Sequence, residues 1–155
     1  MHIKKLFLVL LLSGCGFHPM YSGDDTDIYV APISGINGIQ LRNALNTKFG
    51  GARDAGALYT LDVKLNAPVT KYKAMESTGD ATWQEISLTA TYTLSCDGKQ
   101  IASGRETAAE SYTFVRYLVA ANASFNNAVS HTIQVLAEKI SARTIAKTYR
   151  GCGDK

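Results

Sequence analysis

Glu85-Ile86-Ser87-Leu88-Thr89-Ala90-Thr91-Tyr92-Thr93-Leu94-Ser95-Cys96 alternates without a slip. Ile86, Leu88, Ala90, Tyr92, Leu94 and Cys96 fall in one phase, and Glu85, Ser87, Thr89, Thr91, Thr93 and Ser95 in the other. Successive side chains of a strand point to opposite faces, so this period of two predicts a long, half-buried strand. Its polar face is a row of threonine and serine with almost no charge. Asp97-Gly98 follows, the dipeptide of a tight hairpin. Residues 100–114 then read as the return strand, weaker in pattern and closing on Tyr112 and Phe114.

Working upstream, residues 75–82 form a turn, and before it the same period reappears. Tyr59, Leu61, Val63, Leu65, Ala67 and Val69 share one phase against Thr60, Asp62, Lys64 and Asn66. Pro68 lacks the N–H a ladder needs, so a bulge or strand end is expected there. Beyond it Lys71 and Lys73 share a face and Tyr72 takes the other. Ile28-Tyr29-Val30-Ala31-Pro32-Ile33 is a β-branched and aromatic run broken by proline, which reads as a first strand at a terminal or edge place.

Two stretches change period. Ile39, Leu41, Leu45 and Phe49 make an apolar stripe behind an Asn37 cap and before a Gly50-Gly51 stop, which predicts a helix of about three turns. Phe125, Val129, Ile133, Leu136 and Ile140 recur at helical spacing, which predicts a long amphipathic helix from residue 122 or 124 to 149. The order is β-α-β-β-β-α. An antiparallel sheet with one apolar face needs a cover, and two amphipathic helices need a floor. The expected fold is therefore α+β, with two helices on one face of a four-stranded mixed sheet, β1-α-β2 supplying the parallel pair.

That arrangement has a consequence for the cysteines. The return strand travels about 45 Å from the hairpin at ~3.3 Å per residue. The last helix comes back about 40 Å at ~1.5 Å per residue. Its end then lies beside Cys96, which predicts a Cys96–Cys152 disulfide; two free thiols in a loose tail is the competing reading.

The third cysteine lies elsewhere. Residues 1–14 combine a basic start (His2, Lys4, Lys5), a short apolar run from Leu6 to Leu12 and small residues before Cys15. This is the make-up of a secretory signal and is too short to span a bilayer, which needs about 20 apolar residues. Leu12-Ser13-Gly14-Cys15 resembles the bacterial lipobox, which implies acylation of Cys15 and cleavage before it. Several acyl chains anchor stably where one does not. By the sorting rule of enteric lipoproteins, Gly16 is an outer-membrane address. An ordinary signal cut after Gly14 is the alternative. Residues 15–27 read as a tether, 28–150 as one domain and 151–155 as a tail.

Composition narrows the function. With 46% hydrophobic residues and 3 prolines, a packed core is expected. The formal charge is +3, and Lys4 and Lys5 leave with the signal, so nothing suggests nucleic acid. No metal-ligand spacing, nucleophile elbow or phosphate loop is present, and His18 and His131 stand apart. No enzyme activity, metal or cofactor is expected. Two features exceed what a core demands. The row Ser87, Thr89, Thr91, Thr93 suits a partner wall as well as solvent. Lys71 and Lys73 suit phosphates as point charges, or simple solubility.

Leu12-Ser-Gly-Cys-Gly-Phe-His-Pro-Met-Tyr21, with Ile39-Gln-Leu-Arg-Asn-Ala-Leu45, the strand from Trp83 to Leu94 and the closing helix, resembles the lipopolysaccharide-assembly lipoproteins (LptE). His18 stands where that family usually has a basic residue. The resemblance implies the same α+β fold, an outer-membrane lipoprotein facing the periplasm, and a place inside the β-barrel protein LptD. There it would aid assembly, plug the lumen and bind lipopolysaccharide. It also links basic residues near the turn between the second and third strands to lipopolysaccharide; Lys71 and Lys73 are a guess from position, since no motif matches there. A lipid-anchored scaffold or pilotin for another outer-membrane protein is the alternative.

Overall fold

The computed structural model describes residues 26–75, 81–113, 117–149 and 151–152. Cys15, Gly16, the signal and nearly all of the tether lie outside the described residues. The order is β1 (Ile28–Val30), α1 (Ile36–Lys48), β2 (Tyr59–Leu65), β3 (Val69–Met75), β4 (Ala81–Cys96), β5 (Lys99–Thr113) and α2 (Leu118–Thr148). The class is α+β, two helices against a mixed sheet, as the periodicities predict.

The strand count is five, not four, because the second strand is split. β2 pairs antiparallel with residues 90–96 of β4, and β3 with residues 81–87 of the same strand. Both lie along one side of β4, so they form one column interrupted at residues 66–68, where Pro68 cannot donate to a ladder. β5 takes the other side of β4. β1 runs parallel to β2 but pairs only with Tyr59, Thr60 and Leu61. It stops short of the expected Ile33: Ala31 N donates to Leu61 O as the last rung at 3.0 Å, and Pro32 follows.

The inward phase of β4 is buried from Ile86 to Cys96, together with Ile28, Val30 and Leu61 from the neighbouring strands. Leu41, Leu45 and Phe49 of the α1 segment and Ile133, Leu136 and Ile140 of α2 close over them. Each such side chain contributes about 1.5–3 kcal/mol by leaving water. Arg42 of α1 donates to Val30 O at 2.9 Å, which fixes α1 against β1.

α1 differs from its expected pattern at both its start and its stripe. The N-cap position is Gly35, not Asn37, and no side chain caps the helix. Ile39 is 58% exposed, whereas Gly38 is buried. A Cβ at Gly38 would lie 2.8 Å from Ile33 O, so the helix approaches the chain there through a residue with no side chain to show in a hydropathy pattern. The Gly50-Gly51 stop is present, with φ of 82° and 133°. α2 begins at Leu118, earlier than the apolar stripe, and its first turn is exposed at Leu118 and Val119.

Candidate partner surfaces

Three surfaces follow from this frame. The first is the sheet face turned away from the helices. Ser87, Thr89 and Thr93 are half-buried there and Thr91 is exposed. Thr89 and Thr107 share a hydroxyl hydrogen bond of 3.0 Å across β4–β5, and Ser87 Oγ donates to Val69 O at 3.4 Å. The neutral surface is three strands wide at Ser87, which pairs with Val69 and Ala109, and narrows to β4 alone at Thr91. Thr91 pairs with Lys64 on one side and Arg105 on the other, and Thr93 pairs with Asp62 and Ser103. The face as a whole therefore carries charge at its flanks, a correction to the uncharged surface expected from β4 alone. Register, which brings these three strands level, is not written in any one strand.

The second surface is the blade formed by β3 and the first half of β4. Lys71 and Lys73 are both exposed on β3. Lys73 Nζ lies 3.0 Å from Glu85 Oε2; Lys71 has no ion pair among the described residues. The register shifts between Tyr72 and Ala74, which sets Lys73 at a bulge. Val69, Tyr72 and Trp83 are exposed around them. On the helix side of the blade's base, Tyr112 Oη donates to the buried Gln84 Oε1 at 2.7 Å, and burial holds that hydroxyl above its usual 10.0. Burial, then Glu106, raises Tyr92 as well, partly offset by Arg143.

The third is the pole where both ends of the domain meet. Ile28 pairs with Tyr59, and Tyr59 with Cys96. Asp27 Oδ2 accepts from Leu58 N at 2.8 Å, so the first described residues lie at this pole. Tyr59 Oη donates to Thr148 O at 3.3 Å. Cys96 and Cys152 are joined by a disulfide with Cα atoms 5.8 Å apart, which ties the end of α2 to the β4–β5 hairpin. β4 has 16 residues, so at ~3.3 Å per residue the blade tip lies about 50 Å from this pole.

His131 is exposed and its Nδ1 lies 3.0 Å from Glu110 Oε2; it ties α2 to β5. Among the described residues no three His, Cys, Asp or Glu gather as metal ligands would, and no helix is long and apolar enough to cross a membrane.

Neither a family model nor a curated protein sequence matches the chain. Solved structures do. A provisionally named lipoprotein from Caulobacter crescentus superposes with a TM-score of 0.65 at 19% identity, over 78% of this chain and 89% of that one. Rare lipoprotein B from Shewanella oneidensis gives 0.61 at 16%, over 79% and 95%. A minor lipoprotein from Acinetobacter baumannii gives 0.56 at 17%, over 78% and 92%. This chain has the fold of these lipoproteins. At such identities the likeness concerns the fold.

Proposed function

We propose that the chain is an outer-membrane lipoprotein that partners and plugs an LptD β-barrel, aids its assembly and helps deliver lipopolysaccharide to the outer leaflet. The reading is carried by one coincidence: an opening of the LptE type, with Cys15 as the acylated residue and Gly16 as the sorting residue, stands on a chain that shares its fold with rare lipoprotein B. The geometry suits the role. Asp27, the last residue of the tether, lies at the disulfide pole, and the Ser87–Thr93 row faces outward with no helix over it among the described residues. The work is binding, not catalysis, and uses no cofactor. Lys71, with Lys73 beside it, is the candidate contact for lipopolysaccharide phosphates. Depletion tests the proposal: loss of the protein should lower surface lipopolysaccharide and leave LptD misassembled. Normal surface lipopolysaccharide after depletion would instead favour an escort for a different outer-membrane protein.

A further inference from the structure

The two edges of the sheet are treated differently. The β5 edge is overlaid by α2: Lys139 Nζ donates to Thr107 O at 2.8 Å, Arg143 pairs with Glu106, and His131 meets Glu110. A lysine placed on an outward carbonyl is one way a sheet blunts an edge. The other edge has no such cover. β3 pairs with β4 alone, and among the described residues no strand lies on its opposite side. Residues 69–74 are exposed throughout. The strand that would occupy that column, β1, leaves it after pairing with Leu61.

We infer that the open edge of β3, from Val69 to Ala74, receives an extended acidic strand of a partner polypeptide, which continues the column that β1 begins. An unpaired strand edge offers a row of N–H and C=O groups that only another extended backbone satisfies in register. Side chains supply the selectivity. Lys71 stands without an ion pair among the described residues, and Lys73 is held by Glu85 at 3.0 Å, so the edge favours acidic residues. The same charge opposes pairing with a second copy of itself. Val69 and Tyr72, 53% and 69% exposed, give the incoming strand apolar contacts. At the start of β3 the edge runs into a cleft of about 680 Å³ whose lining includes Ser34, Asn37, Gln40, Asn66, Asn126 and Ser130. Such amides and hydroxyls can meet the backbone of a strand end.

The inference rests on the barrel reading only for the identity of the donor, so the test separates the two. The full chain is mixed with a synthetic peptide of alternating glutamate and valine, and with its lysine–valine counterpart, and amide hydrogen exchange is followed. The acidic peptide should slow exchange in β3 by roughly tenfold, the basic one should not, and β5 should be unchanged by either. Lys71→Glu should abolish the preference. A phosphate bound at Lys71 would leave β3 exchange as it was, because it pairs with no ladder. The same exchange is then read on the chain co-purified with LptD. Protection by the acidic peptide without a barrel complex removes the barrel reading and leaves the edge. No protection by either peptide, or protection that needs only a higher concentration of the chain itself, overturns the inference.

Discussion

A methyl group at Gly104 would test the packing of the sheet most sharply. A Cβ there would meet the Tyr92 ring at 2.6 Å, and Tyr92 is 7% exposed beneath α2, so the ring has little room to withdraw. Gly104→Ala is expected to destabilise by about 1–3 kcal/mol, the usual cost of overpacking a filled core, read by urea unfolding; a change within experimental error would mean the ring moves freely. In sequence Gly104 is merely a gap in a weak pattern. Its reason appears only when β5 is set in register with β4. The lysines show the same limit. The two look equivalent in sequence, but the ion pair to Glu85 separates them. Lys71→Glu should therefore weaken lipopolysaccharide binding more than Lys73→Glu, with the fold unchanged by circular dichroism. Equal or absent effects would remove the pair as a contact.

At the scale of elements, legibility followed the size of the side chains that do the packing. β4 was readable from Glu85 onward, because every second residue from Ile86 to Cys96 enters the core; its start at Ala81, inside the expected turn, was not. α1 was readable as a helix and, through Leu41, Leu45 and Phe49, in most of its inward face; the first turn was not, since Gly38 packs closely and leaves no apolar signal, and Ile39 looked the better candidate. Ile39→Lys is accordingly expected to shift stability by no more than about 0.5 kcal/mol. Leu41→Ala, at a fully buried position, should cost about 2–5 kcal/mol. Thermal unfolding of the two variants side by side checks this, and the reverse order would place the wrong face of α1 against the sheet. The split of the second strand was foreshadowed by Pro68. That both halves pair with one partner strand was not, because pairing is a long-range property that no local pattern encodes.

Seen whole, the described body has a cross-linked pole and an open blade whose far end lies about 50 Å away. The Cys96–Cys152 bridge closes a separation of 56 residues, and the loop-entropy account gives it about 4 kcal/mol. Cys152→Ser should lower the urea midpoint by a corresponding amount without altering the helical content. An unchanged midpoint would show that Tyr59, which also reaches the end of α2, holds it unaided. The cross-link was legible in sequence because two element lengths nearly cancel. The flanking charges of the outer face were not, for they come from the two strands on either side of β4. The central claim is that this body seats in a barrel partner. Its most direct measurement is purification of the tagged full-length protein from detergent-solubilised outer membrane. The account predicts a Cys15-acylated chain in stable, stoichiometric complex with LptD; an unacylated, water-soluble chain that brings no outer-membrane protein with it would contradict it.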